Sequence, residues 1–216
     1  LSQAQWPQAS DEIWAGFVRA FEFDSELEES LISGTYRGDY GEFGDLAAYA
    51  HAVSHMTVAQ TVARAGGPIN VLPSSGELEL DIRTLPGQSD DDVDRAITEA
   101  LGELADHVTI ERLLSEQATA SSIDTKLYRA IEETLTQANP GAKVVPILFP
   151  GGSDLRVGRH KGGVGYGFGS CSSGATLGQV YSQLHAHDEH IAVEDVVSTV
   201  CALDHLTRVF IYPENA

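Results

Sequence analysis

Residues 185–190 read His-Ala-His-Asp-Glu-His, three imidazoles and two carboxylates within six positions. A neutral imidazole is a common metal ligand, and a carboxylate behind it fixes the tautomer that leaves the other ring nitrogen free to bind. His185, four residues before Glu189, is the candidate ligand, with Asp188 or Glu189 as the carboxylate behind it. No HExxH or CxxC spacing accompanies the cluster. On these residues alone a solvated turn stays open, with His187 and His190 facing water and the acids serving the dipole of the helix that follows.

Two further stretches place donors where an anion could sit. In Phe-Pro-Gly-Gly-Ser-Asp-Leu-Arg, residues 149–156, two glycines after an apolar run allow the backbone to approach a ligand closely. Gly152 gives the room, Ser153 could cap the helix that follows, and Arg156 lies one turn in, where a guanidinium could hold a carboxylate with two prongs. A plain turn with a surface Arg is the simpler reading of that stretch by itself. Asn70 lies in a turn and Arg83 near the end of the next strand, thirteen positions on, so that a short hairpin return could bring an amide and a guanidinium together. An Asn in a turn is often there for backbone reasons alone. The alternating glycines of Gly-Val-Gly-Tyr-Gly-Phe-Gly, residues 163–169, do not spell GxGxxG, and the stretch reads as a strand.

These residues need elements to hold them. Residues 10–23 predict an amphipathic helix capped by Ser10, with Ile13, Trp14, Phe17, Val18 and Phe21 on its apolar face. A second helix over 24–33 ends at Gly34, and the Gly- and Tyr-rich stretch after it reads as a loop. From Thr57 the period changes to two, giving strands over 57–66 and 76–85 separated by a Gly/Pro-rich break. A helix capped by Ser89, with Val93, Ile97, Leu101 and Leu104 on one face, and a strand over 107–114 complete part of a small α+β sandwich with an antiparallel sheet. After a junction at 118–124 the pattern alternates. Helices are expected over 124–138, 154–160 and 192–211, with strands at Val-Val-Pro-Ile-Leu-Phe (144–149) and 163–169. So few elements cannot cover the faces of such a sheet by themselves.

Composition bounds the partners. Thirty-two Asp and Glu against thirteen Lys and Arg give a net charge of −19, which repels nucleic-acid phosphates and anionic lipid. The acids are dispersed and only three residues are Lys, a pattern suited to a cytoplasm at molar salt, where a Debye length of ~3 Å screens self-repulsion. No long apolar run and no export leader is present, so a soluble, cytoplasmic protein is expected. Cys171 and Cys201 are too few for a disulfide framework and read as reduced thiols. Leu1 opens the chain without a start signal, and a piece of a longer protein is the expectation.

Taken in order, the stretch from Ala65 to Val93, then Gly151 to Arg156, then 165–169 and the His-rich segment before the last helix resemble the di-zinc metallopeptidases and deacylases. That family includes glutamate carboxypeptidase, aminoacylase, acetylornithine deacetylase and succinyl-diaminopimelate desuccinylase. The resemblance implies a zinc-peptidase α/β catalytic domain, here its C-terminal part (114–216), and a ferredoxin-like antiparallel-sheet dimerisation lid (1–113) with a helical insertion at about 10–50. It implies two zinc ions per active site in the intact enzyme, with cobalt or manganese as alternatives. His185 then corresponds to a zinc ligand, Arg156, with Gly152 and Ser153, to the substrate-carboxylate site, and Asn70 and Arg83 to lid residues that reach substrate. The implied substrate is a carboxylate-bearing peptide or N-acyl amino acid, and the implied assembly a homodimer through the lid. The family's other ligands, its general-base Glu and its lid His are expected ahead of residue 1, so no catalytic residue is assigned here and the piece alone is expected to be inactive. A non-catalytic dimerisation or binding module is the alternative.

Overall fold

Local chemistry fixes most helix starts. In the computed structural model, which describes residues 6–7 and 11–212, α1 (Glu12–Arg19) begins at Asp11, whose Oδ1 accepts from the Trp14 N–H at 2.7 Å. The expected cap, Ser10, lies outside the described residues. Asp24 caps α2 (Ser25–Ile32) by accepting from the Glu26 and Leu27 N–H groups. A 3₁₀ stretch, Gly41–Leu46, leads into α3 (Ala47–Ser54). The chain then forms β1 (Thr57–Ala65) and β2 (Gly76–Arg83), α4 (Asp90–Leu101), a 3₁₀ stretch Gly102–His107, α5 (Lys126–Ala138), α6 (Leu155–His160), α7 (Leu177–Gln183) and α8 (Val193–Ile211).

The described chain folds as two compact units. One comprises Ala52–Thr119 with Trp6 and Pro7, and the other residues 11–51 with 120–212. In the first, β1 and β2 pair antiparallel from Ala65↔Gly76 at the connected end to Thr57↔Arg83 at the other, with an irregularity between Gln60 and Val62. Ser89 caps α4 in a reciprocal box with Asp92, which satisfies two backbone donors at once. Val53, Met56, Leu85, Ala96 and Ile97 are buried in this unit. The helix stops at Leu101 because Gly102 takes φ +56°, so Leu104 falls in the 3₁₀ stretch and is exposed instead of continuing the apolar face.

The second unit has two cores. Trp14, Phe17, Val18, Leu31, Tyr40, Phe43, Tyr49 and Ala50 are buried in an aromatic cluster. The Trp14 indole N–H donates to the Leu31 carbonyl at 2.9 Å, which joins α1 to α2. The other core packs α5 on α8 through Ala130, Ile131 and Leu206, with Leu127, Leu135, Tyr166, Phe168 and Val209 around them. Residues 11–51 therefore make their contacts in this unit, whereas the sequence reading grouped residues 10–50 with the lid. The break at Thr119/Ala120 falls inside the junction at 118–124.

Three expected strands do not form. Residues 107–114, 144–149 and 163–169 carry no ladder, and β1 and β2 make the sheet of the described residues. A strand is a relation between two backbones, and β-branched or aromatic composition records only a demand for packing. Side chains hold these segments instead. Tyr49 donates to the Leu148 carbonyl at 3.0 Å, the Ser121 hydroxyl accepts from the Gly165 N–H at 3.0 Å, and the Arg112 guanidinium pairs with Asp90 and Asp94.

Candidate functional site

The Gly-rich turn follows the apolar run 144–149 in the second unit. A side chain on Gly151 would come within 2.7 Å of the ring of the exposed Phe149, which would have to swing aside to admit it. Gly152 has open space around its Cα and leaves the turn approachable. Ser153 does not cap α6 in the expected way. Asp154 is the cap residue and makes no side-chain capping bond, while the Ser153 hydroxyl accepts weakly from the Leu155 N–H at 3.3 Å. Arg156, the second residue of α6, is half-buried, with its N–H donating to the Ser153 carbonyl at 3.2 Å. Three residues on, Arg159 donates to the Ser121 hydroxyl at 3.0 Å and to the Gly165 carbonyl at 2.6 Å, which ties the far end of the helix to the segments beside it.

His185 stands two residues beyond α7, in the same unit. The Thr176 hydroxyl accepts from the Gln179 N–H at 3.2 Å and the Gln179 side chain accepts from the Thr176 N–H at 2.9 Å, a reciprocal cap that starts α7. After Leu184 the backbone turns through the left-handed region at His185 (φ +58°) and again at Asp188 (φ +61°). Such angles are uncommon for residues with a side chain and belong to tight turns. His185, His187 and His190 are all exposed, and the His190 Nδ1 lies 2.8 Å from the Asp188 carbonyl.

No three His, Cys, Asp or Glu among the described residues gather closely enough to hold a metal ion. A single imidazole is far short of the four-donor sets that zinc takes, so the described residues do not make a complete metal site.

In the first unit, Asn70 is exposed in the connection between β1 and β2, and Arg83 is exposed and paired with Asp81 at 2.7 Å. The hairpin does not bring the two together. Arg83 pairs across from Thr57 at the open end, seven residues along β2 from the connection. At ~3.3 Å per residue the strand alone separates them by roughly 23 Å.

Sequence reasoning passed over Asp195. It is buried at the start of α8, where one carboxylate oxygen accepts from the Ser172 and Ser173 N–H groups at 2.6 and 2.8 Å and the other from the Ser173 hydroxyl at 2.7 Å. The Ser173 hydroxyl first, then the backbone N–H groups, hold its carboxyl below the usual range. Tyr49 and Tyr181 were passed over too. Burial pushes the phenols of both above their ordinary value. The available signals were the Ser-Cys-Ser-Ser-Gly run and the Thr-x-x-Gln capping pattern at 176–179.

Comparison with known proteins supplies what the site alone does not. Residues 4–109 match the family model of the M20 peptidase dimerisation domain. Over 107 residues, 49% of this chain and 20% of the relative, the chain is 27% identical to the probable carboxypeptidase S-like 2 of Dictyostelium discoideum. Its fold resembles that of an M20 family metallo-carboxypeptidase from Sulfolobus solfataricus, with a TM-score of 0.58 at 17% identity. By these matches the chain resembles the M20 peptidases through a dimerisation domain over residues 4–109. The structural match covers 94% of this chain and 46% of the Sulfolobus protein, so the chain spans less than half the length of that relative. The M20 dimerisation match takes in the sheet and α4, in keeping with an α+β lid, and also α1 to α3. No helix among the described residues is long and apolar enough to cross a membrane.

Proposed function

We propose that this chain is the lid and the closing part of the catalytic domain of a metal-dependent peptidase or N-acyl amino acid amidohydrolase, and that it is inactive without further chain. The observation that carries this reading is the pairing of a peptidase dimerisation match over 4–109 with the lack of any three-ligand group among the described residues. A family member built for metal-assisted hydrolysis needs several ligands, and here His185 offers one imidazole. The lid reading of residues 1–113 rests on the family match, and 114–216 is read as the closing part of the catalytic domain. The metal is proposed to be zinc, two ions per site, in a cytoplasmic enzyme whose acidity suits high salt.

The chain's own residues would recognise the substrate. Arg156 stands on a short helix after an open Gly152 and can present two parallel N–H groups to a carboxylate. Asn70 and Arg83, at opposite ends of the hairpin, would each act separately, on the substrate or on the neighbouring subunit's site. A homodimer through the lid accords with the exposed Ile110, Leu113 and Leu114. A non-catalytic dimerisation module is the second reading, and the dimerisation-domain match over 4–109 taken by itself is the observation that favours it.

Two measurements test this. Calorimetric titration of the 216-residue chain with zinc is expected to show no tight two-ion site and no hydrolysis of N-acyl amino acids or dipeptides, and a tight site with activity would overturn the fragment reading. In the full-length protein Arg156→Ala is expected to raise KM with a loss of roughly 2–5 kcal/mol of transition-state binding, the range for truncating one partner of a desolvated charge pair. An unchanged KM would remove Arg156 from the site. A full-length protein that hydrolyses none of these substrates would favour the dimerisation module.

A further inference from the structure

The aromatic segment 11–51 touches both stretches that carry the candidate site residues of the second unit. Tyr49 is the point of contact. Its hydroxyl donates to the Leu148 carbonyl at 3.0 Å, immediately ahead of the turn that leads to Arg156. The same ring stacks on Tyr181 of α7 with centroids 5.3 Å apart and planes 10° from parallel. Tyr181 lies four residues before His185 and also meets the Phe149 ring at 6.4 Å. A few residues earlier, Asp45 accepts from the Thr176 hydroxyl at 2.5 Å, and the chain passes so near α7 that a side chain on Gly178 would come within 2.6 Å of the Asp45 carbonyl oxygen.

On the other side, Tyr49 is anchored edge-on against Phe17 at 5.2 Å, inside the buried cluster of Trp14 and Phe43. The contacts form a continuous path. It runs from a buried aromatic core, through one phenol, to a backbone carbonyl on one site-bearing segment and a ring on the other. Two loops that leave the fold at different points are thereby referred to a single support. A buried tyrosine suits the task because its ring carries packing while its hydroxyl makes one directional bond.

We propose that residues 11–51 form a brace that fixes the Gly-rich turn and the His185 loop relative to one another, with Tyr49 as the positioning residue that touches both. In its functional sense this rests on the roles of Arg156 and His185 proposed above. The brace as a physical device does not, and two readouts keep them apart.

The experiment uses the full-length protein and the variants Tyr49→Phe, Tyr181→Leu, Tyr181→Phe and Gly178→Ala. Ile131→Val in the α5–α8 core serves as a control that lowers stability without touching the brace, and Arg156→Ala is the reference for the site. Amide hydrogen exchange is followed over residues 148–156 and 184–189, and KM and kcat are read with whichever of N-acetyl-leucine, hippurate and Gly-Leu is hydrolysed best. Tyr49→Phe, which keeps the ring and loses the hydroxyl, is expected to speed exchange over 148–156 and raise KM by about fivefold, the equivalent of one net hydrogen bond. Tyr181→Leu and Gly178→Ala should speed exchange over 184–189, Tyr181→Phe should retain wild-type values, and Ile131→Val should leave both segments unchanged. Wild-type exchange in both segments for Tyr49→Phe, Tyr181→Leu and Gly178→Ala would overturn the brace, as would equal acceleration by Ile131→Val. Faster exchange together with a KM indifferent to Arg156→Ala would support the brace and retire the role assigned to Arg156.

Discussion

Replacing Phe43 should unfold the aromatic support of the second unit more effectively than any other single truncation within it. The ring is 2% exposed and meets five others, with centroids 6.0 Å from Trp14, 5.6 Å from Phe17, 4.8 Å from Phe21, 5.0 Å from Phe23 and 6.2 Å from Tyr40. Full burial of such a side chain is worth about 1.5–3 kcal/mol, and aromatic pairs add about 0.5–1.5 kcal/mol each without being additive. A cavity left among rings that cannot collapse adds a further penalty, so Phe43→Ala is expected to cost about 4–5 kcal/mol, the upper end for such truncations. Phe43→Leu keeps most of the transfer free energy and loses the ring edges, at about 1–2 kcal/mol. Urea unfolding of the chain in a Trp6→Phe background lets Trp14 alone report, so that the second unit is followed without assuming that both units melt together. The midpoint should shift with little change in slope. A cost below about 1.5 kcal/mol for Phe43→Ala, or equal costs for Ala and Leu, would show that the ring contacts do not hold the cluster.

Two further outcomes follow from local geometry. Ser89→Ala removes one half of a reciprocal cap on α4 and should cost about 1 kcal/mol in chemical denaturation of the first unit, while Ser89→Asp should restore most of it. Asp195 has a folded-state pKa below its unfolded value, so its contribution is present above the unfolded pKa of about 4 and is lost as the pH falls through the lower folded value. Asp195→Asn should flatten the acid limb of a stability–pH profile below about pH 4 and loosen residues 171–173 in amide exchange. An unchanged acid limb would mean that the serine contacts do not carry the linkage.

What the sequence disclosed and what it withheld divide along the range of the interactions. The Ser89 cap of α4 and the apolar face of α1 are local, and residues three and four apart announce them. The hairpin was equally legible, because strict alternation on either side of a Gly/Pro break specifies two strands. The apolar segments at 144–149 and 163–169 misled because a ladder needs a partner, which composition does not name. Asn70 and Arg83 misled for a related reason: thirteen residues is a short distance along the chain, but an antiparallel register sends the second strand away from the connection. α3, Ala-Ala-Tyr-Ala-His-Ala-Val-Ser, escaped notice because it follows directly on a 3₁₀ stretch with a break at Gly44. α7 did carry a legible mark in Thr176 and Gln179.

The path of the chain between the two units differs from a division into two continuous ranges. The dimerisation match runs through residues 4–109 without interruption, yet residues 11–51 make their contacts with 120–212. The chain therefore passes from one unit to the other at 51/52, in the middle of α3, and returns at 119/120. Tyr49 and Val53 lie one turn apart on α3, the first buried in the aromatic cluster and the second in the first unit. A piece cut at residue 52 would keep the sheet and α4 but strip Tyr49, Phe43 and Trp14 from the unit that bears Arg156 and His185. The Gly-rich turn would then lose the hydroxyl that holds Leu148, and α7 the ring that stacks on Tyr181.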